Sequence, residues 1–448
     1  MRRRALTSKP PEWTNWARSA RATPAAVATP HSEDELVALV RAHTAAGGRV
    51  KVVGGSHSFT PIAAPDLENT LLISLDGIQG ITHVDVITGE VSVLGGTRLW
   101  TLADALEPYG LALPNMGDID HQSLAGALST GTHGTGLGFT GYSGMLTSLR
   151  LLLASGQVVT VSRSQDPELF EAARVGLGAM GIILEATLRC VPSFDLAAAE
   201  HPESLEGMLT SFVDRSRTED HLEFYWFQHT DMVSAKVNTR RPMGGERAPL
   251  KRAQHLVDDE ILGNGGHRAL CELGRILPRT VPRLNRFAAS AMGDRDYVDR
   301  SDRIFVSPRR TRFREMEYAV PLADAEEVLR EVIRVVNGYR DGITFPIEVR
   351  TAAADNTWLG TASGRDSAYI AVHRFIKEDH LHYFAAVEPV FKAAGGRPHW
   401  GKIHTLNAQD LAGLYPHHAD AVRTRDRVDP TGRFSNRYLE TVLGPPPS

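Results

Sequence analysis

Val52–Pro61 reads VVGGSHSFTP, and Met116–Gly136 reads MGDIDHQSLAGALSTGTHGTG. Each stretch sets glycines and hydroxyl side chains around histidine. Glycine lets the backbone come close to a ligand and take positive φ. Successive exposed N–H groups in such turns form nests for anionic groups such as phosphate. Either stretch alone is compatible with an ordinary glycine-rich loop. Two of them in one N-terminal half, each after a β run or a helix, point to a large phosphate-bearing ligand. No G-x-G-x-x-G opens a helix after an early strand, so such a ligand is held in another way than in a dinucleotide-binding βαβ unit.

Around these stretches the elements mix without regular alternation. Ser32 and Glu35 mark the start of a helix over 31–43, with Leu36, Leu39 and Val40 at helical spacing. Arg49–Val53, Thr70–Leu75 and Gly89–Leu94 read as strands, and Trp100–Tyr109 as a helix. Ser148–Ala154 and Gln157–Val161 flank the turn Ser155-Gly156. A helix over Asp166–Val175 and a long β run over Gly181–Val191 follow. Composition changes after Val191-Pro192, where a domain boundary is expected. Ala323–Tyr339 is an amphipathic helix, and Thr344–Arg350, Ser367–Phe375 and the stretch around Trp400 read as strands. The pattern is that of an α+β protein.

The chain has 448 residues, enough for two or three domains, with 42% hydrophobic and 23% charged residues, as in an ordinary globular protein. Its 49 basic and 53 acidic residues leave a net charge of −4, so no global positive field draws nucleic acid or anionic lipid. Cys190 and Cys271 allow one disulfide at most and fit a reducing compartment. No apolar run reaches the ~20 residues of a membrane span. The basic start, with arginines at positions 2–4, lacks the apolar stretch of a secretory signal. A cytoplasmic protein with no membrane or nucleic-acid partner is expected. His380, His382, His417 and His418 lack the companions of a metal site, and no metal is expected. The run Arg309-Arg310-Thr311-Arg312 is too short for nucleic acid and reads as a solvated face or a lid near the site.

With Glu348-Val349-Arg350, His399-Trp400-Gly401-Lys402 and Asp429–Leu439 (DPTGRFSNRYL), the two glycine-rich stretches closely resemble the aldonolactone oxidase group of the vanillyl-alcohol-oxidase flavoprotein family. Alditol oxidases are near relatives of that group. The resemblance runs from about Trp13 to Gly444. It implies a two-lobed FAD-binding domain over 13–192, an α+β substrate or cap domain over 193–405, and a segment 406–448 that returns to the flavin. It further implies that Gly54, Gly55, Ser56 and Ser58 cradle the pyrophosphate. Ser123, Gly126, Ser129, Thr130, Gly131, His133, Gly134 and Thr135 would line the other side, and Gly181-Ile182 would approach the adenine or ribose. His57 matches the histidine that bonds covalently to FAD in many relatives, and the alternative is a loop histidine that only touches it. Ser56 departs from the glycine that many relatives carry before this histidine.

Oxidising an alcohol sends a hydride to the flavin and a proton to a base. On a strand, Glu348 and Arg350 point to one face. Glu348 would accept hydrogen bonds from substrate hydroxyls, and Arg350 would bridge the substrate oxygen and the reduced ring. Lys402 would stabilise the alkoxide, or act as base if Arg350 lowers its pKa. His373 is either a further pocket residue or a buried structural one, and His399 could serve either role. In relatives the residue matching Gly117 lies beside the flavin carbon that meets dioxygen, so the resemblance implies space there and an oxidase that makes hydrogen peroxide. Asp118 stands where alditol oxidases place serine, and it tilts the substrate from an open-chain polyol toward a sugar lactone. Rival readings are an alditol oxidase, a dehydrogenase with another acceptor, and a non-catalytic flavoprotein.

Overall fold

A computed structural model of the chain describes residues 12–250, 265–291, 294–307 and 310–447. The arginines at 2–4 and Arg309 lie outside the described residues. Near the N-terminus, Ala26–Ala28, Thr70–Ser74 and Arg49–Val53 make a three-stranded parallel sheet with Thr70–Ser74 in the middle. The Glu33–Ala45 helix links its two outer strands. Ser32 caps that helix by accepting from the Glu35 amide. The Glu35 carboxylate accepts from the His31 amide, one residue before the position a capping box would use.

A five-stranded antiparallel sheet follows, in the order Val158–Ser162, Leu146–Leu152, Ile182–Arg189, Glu90–Leu94, Ile81–Asp85. Leu36, Val40, Val50, Ile73, Leu152, Ile182 and Phe434 form one core cluster that joins it to the parallel sheet. Sheet membership then changes between Val191–Pro192 and Phe194.

From Phe194 onward the strands enter an eight-stranded antiparallel sheet. Its order is Arg295–Arg300, Phe194–Ser204, Met232–Pro242, His221–Trp226, Ile347–Ala352, Ser367–Phe375, Phe313–Pro321, Arg397–Pro398. Alternation along the central strands sorts their residues. Ile347 and Val349 face one way with Phe224, Ile370 and Tyr318. Helices cover this apolar face: Phe212 of Leu205–Thr218 meets Phe224 edge-on, and Phe391 of Leu381–Ala393 stacks on Tyr318. The opposite face carries Glu223, Lys236, Glu315, Glu317, Glu348, Arg350 and His373, and it too is buried. Charged residues in the centre of a covered sheet are costly, so they mark a place where the sheet is used rather than merely packed. The Met116–Gly136 stretch lies over this face. The Gly136 amide donates to the Thr351 carbonyl, and the Thr135 hydroxyl donates to the Leu222 carbonyl.

The α+β class agrees with the sequence, but three local readings need correction. Within the glycine-rich stretch, Leu124–Thr130 is a helix, capped by Ser123 and ended by Gly131 at φ 73°. Its buried Leu124, Ala127 and Leu128 were hidden in a Gly/Ser/Thr-rich composition. Trp400 is not in a strand: only Arg397–Pro398 pairs, and the chain then turns, with the Trp400 indole donating to the Leu359 carbonyl. After the change of composition at Pro192, where no element was read up to Arg300, the described residues include four strands of the large sheet. Phe194–Ser204 tolerates Pro202 because Arg295–Arg300 pairs only with Asp195–Glu200, so Pro202 has a strand on one side only.

His221 joins the front and rear of the chain. Its Nδ1 donates to the Thr135 carbonyl at 2.8 Å, and its Nε2 accepts from Arg240 Nε at 3.2 Å. Burial, aided by Arg240, lowers its pKa to about 4. The unfolded chain therefore takes up this proton first. The contribution is complete above the ordinary histidine pKa and is lost as pH falls from about 6.5 toward about 4, roughly 3 kcal/mol in all. Denaturant unfolding of wild type and His221→Gln at neutral pH and near pH 5 is expected to show the smaller acid loss in the variant. Equal losses would contradict this assignment.

Candidate active site

Two adjoining cavities are present: the first lies within the front part of the chain, closed by Phe434, and the second lies between the Met116–Gly136 stretch and the large sheet. The first, about 930 Å³, is lined by Gly54, Gly55, Ser56, His57 and Ser58, by Ser123, Gly126, Ser129 and Thr130, and by Gly181, Ile182 and Phe434. The C-terminal segment reaches it because the Asn436 amide donates to the carbonyls of Pro61, Ile62 and Ala64. The two turns meet at backbone distance. A Cβ at Gly54 would lie 2.1 Å from Ser123 Oγ, and one at Gly55 2.7 Å from the His121 carbonyl. Ser56 takes φ 54°, a conformation that glycine adopts without strain. Ser129 and Thr130 spend their hydroxyl protons on the carbonyls of Ala125 and Gly126, so they offer a ligand lone pairs first. Gly131, Gly134 and Thr135 line neither cavity. Gly131 ends the helix, a Cβ at Gly134 would strike the Met116 carbonyl, and Thr135 ties the stretch to the large sheet. Lys51 was missed by sequence reasoning. It lies buried in the first cavity wall, donating to the Phe434 carbonyl, and burial lowers its pKa to about 8.

His57 and Gln122 line both cavities. Burial, with His121 and Arg98 nearby, lowers the His57 pKa to about 4, so the ring is neutral at physiological pH and keeps a nucleophilic lone pair. Trp16 stacks on it at 5.8 Å.

The second cavity, about 790 Å³, is lined by Gly117, Asp118, His133, Glu348, Arg350, His373, His399 and Lys402. It also holds Glu315, Glu317, Trp16, Phe59 and Phe313, which sequence reasoning did not single out. Register explains the grouping. Glu315 stands opposite His373, and Glu317 and Glu348 stand on either side of Ala371. The signal was present in FREMEYAVP, where Glu315 and Glu317 alternate with Met316 and Tyr318.

Arg350 is held by three carboxylates: Asp118, Glu348 at 2.5 Å and Glu223 at 2.8 Å. Burial opposes its charge, but these neighbours outweigh that and raise its pKa well above the usual value. Lys402 pairs with Glu315 and lies 5.5 Å over the Phe59 ring. Burial would lower its pKa, yet Glu315 and Glu317 raise it. The alternative in which Arg350 lowers the Lys402 pKa and makes it a base is therefore corrected: Lys402 is a fixed cation. Glu315 is correspondingly acidic, lowered to about 2 by Lys402 and His373 against the effect of burial. His373 Nδ1 lies 3.0 Å from the Pro346 carbonyl, which can only accept, so Nδ1 carries the proton. Its Nε2 faces Glu315 at 3.5 Å and Glu348 at 4.0 Å.

His133, Glu317 and His399 come close enough to suggest a cation. The donors do not fit one. His399 Nδ1 accepts the Gly401 amide at 3.0 Å, so the neutral ring carries its proton on Nε2, the atom a metal would need. Burial lowers the His399 pKa to about 3, and Lys402 adds positive charge beside the group. A flavin dinucleotide fits the paired cavities better: glycine turns at one end, a neutral histidine at the junction, and a polar reaction chamber beyond.

Comparison with known proteins agrees with this geometry. The family model described as D-arabinono-1,4-lactone oxidase matches residues 186–442, and an FAD-binding domain model matches residues 24–162. An L-gulono-1,4-lactone dehydrogenase of Mycobacterium tuberculosis is 40% identical over 435 residues, 97% of this chain and 100% of that protein. An L-gulonolactone oxidase of Bos taurus is 32% identical, covering 96% and 98%, and an alditol oxidase of a Streptomyces species is 30% identical over the same shares. A cholesterol oxidase from B. sterolicum shares the fold, with a TM-score of 0.81 at 15% identity over 97% of this chain and 96% of that one. The chain thus belongs to the D-arabinono-1,4-lactone oxidase family, in the aldonolactone oxidase group of the vanillyl-alcohol-oxidase flavoproteins, and is an FAD-dependent oxidoreductase.

Proposed function

We propose that the protein oxidises a ring hydroxyl of an aldono-1,4-lactone, with FAD as hydride acceptor and dioxygen as the final oxidant. The observation that carries this reading is the second cavity. Glu348, Arg350, His373 and Lys402 converge there with Gly117 and Asp118, next to a glycine-walled cavity that shares His57. Bound FAD would take the hydride. Arg350, pinned by Asp118, Glu223 and Glu348, orients the hydroxyl oxygen. Lys402 stabilises negative charge as it develops on that oxygen. His373 Nε2 takes the proton, with Glu315 and Glu348 placed to stabilise the imidazolium. The wall sets four carboxylates (Asp118, Glu315, Glu317, Glu348) against two cations (Arg350, Lys402). It therefore favours a neutral polyhydroxylated lactone over the aldonate anion.

Residues 13–192 would hold the cofactor, 193–405 the substrate, and 406–448 would close the first cavity. A cytoplasmic location belongs to the same reading, supported by buried, unpaired Cys190 and Cys271. Among the described residues no helix is long and apolar enough to cross a membrane. Initial rates with L-gulono-1,4-lactone and xylitol test the substrate class. Faster turnover of xylitol would favour the alditol oxidase reading.

Covalent attachment through His57 is part of the proposal. Wild-type protein precipitated with acid is expected to keep its yellow colour in the pellet, whereas His57→Ala releases it to the supernatant. Colour in the wild-type supernatant would remove the linkage and leave the rest of the proposal standing.

Dioxygen as acceptor rests on Gly117. Its amide donates to the Tyr142 hydroxyl at 3.3 Å, and a Cβ there would lie 2.8 Å from the His133 carbonyl. Gly117→Ala must displace backbone and is expected to slow reoxidation by air by ~10-fold, read by stopped flow. Reduced wild type that reoxidises no faster than free flavin would mean a dehydrogenase.

A further inference from the structure

The helices His267–Ile276 and Val281–Ala291, joined by a short turn, form a hairpin on the second half of the chain. Cys271 and Gly274 of the first and Val281 and Asn285 of the second face inward and are buried. Cys271 joins the aromatic cluster that contains Phe59 and Phe313, two walls of the second cavity. The outer side is unusual. Leu273, Ile276, Leu277 and Phe287 are 42%, 63%, 50% and 64% exposed on this one hairpin. Arg268, Arg275, Arg279, Arg283 and Arg286 belong to the same hairpin and are all exposed. The sole acidic residue between 267 and 291 is Glu272, which pairs with Arg275 and Lys377.

Scattered apolar residues on a surface need no explanation, but four large ones on one hairpin do. The surrounding charge selects what can cover them. A second copy in a two-fold contact would bring two sets of arginines together, which repulsion opposes. A surface that is anionic outside and apolar just beneath suits both features at once, and an anionic bilayer has that profile. The chain's net charge of −4, which argued against lipid, averages over all 448 residues and conceals this local excess.

We propose that the 267–291 hairpin is a docking surface for an anionic lipid bilayer, with Leu273, Ile276, Leu277 and Phe287 entering the headgroup region and the arginines meeting lipid phosphates. This sets the aromatic side of the second cavity toward the membrane. The inference does not depend on which sugar the enzyme oxidises.

Sedimentation of the holoenzyme with vesicles tests it. Vesicles of phosphatidylcholine with about one-third phosphatidylglycerol are expected to pellet at least ~10-fold more protein than phosphatidylcholine alone, and about 0.5 M salt should reverse the difference. Ile276→Ser/Phe287→Ser and Arg279→Gln/Arg283→Gln should each lose the binding while turnover in solution is unchanged. Equal pelleting on both vesicle types, or variants that bind like wild type, would overturn the proposal. So would a concentration-dependent dimer that Ile276→Ser/Phe287→Ser abolishes in the absence of vesicle binding, since the patch would then be an interface between copies.

Discussion

Arg350→Met is expected to destabilise the protein by about 3–5 kcal/mol and to lower turnover by about 10²–10³-fold. The guanidinium is buried and holds Asp118, Glu223 and Glu348 together. Removing it leaves three carboxylates in a covered site. Lys236 remains near one of them, 3.6 Å from Glu223. His373, Lys236 and Lys402 offset part of the charge on the other two, and proton uptake relieves the rest of their repulsion. Protonation removes the repulsion, so the variant's deficit is full at neutral pH and shrinks on acidification. Denaturant unfolding across pH reads this directly. Arg350→Lys separates the two roles: it restores charge, and hence much of the stability, but not the forked geometry that orients an oxygen. Stability within a few tenths of a kcal/mol of wild type in the methionine variant would show that the three carboxylates are not held as charged groups.

Some of this site could be read from sequence and some could not, for a physical reason. Glu348 and Arg350 were legible through the family resemblance, and their two-residue spacing on a strand then put them on one face. Arg49–Val53 and Ser367–Phe375 were legible because β-branched and aromatic runs declare themselves. Glu315 and Glu317 were not singled out, because on a strand such residues usually face solvent. Only pairing with Ser367–Phe375 turns them inward. Glu223 and Lys236 were hidden in the same way: they stand opposite each other on neighbouring strands, and nothing within either strand says which face is covered. The charge state of Lys402 depends on those long-range neighbours, which is why a lowered pKa looked reasonable beside Arg350 and proved to be the wrong direction.

Lys402→Met is the second large effect, an expected fall in turnover of about 10²-fold or more with little change in substrate affinity. Two mechanisms would both predict a loss, and pH separates them. A lysine base would give a rate that rises through the lysine range and loses that limb in the variant. A fixed cation gives no such limb. The wild-type pH profile then survives in Lys402→Met at a lower plateau. Glu315 adds a stricter check. Its carboxylate pairs with Lys402 and faces His373 Nε2 at 3.5 Å. If it works by holding Lys402 charged and in place, Glu315→Gln costs ~10-fold alone and nothing further on top of Lys402→Met. If instead the two losses multiply, Glu315 acts through His373 and independently of Lys402.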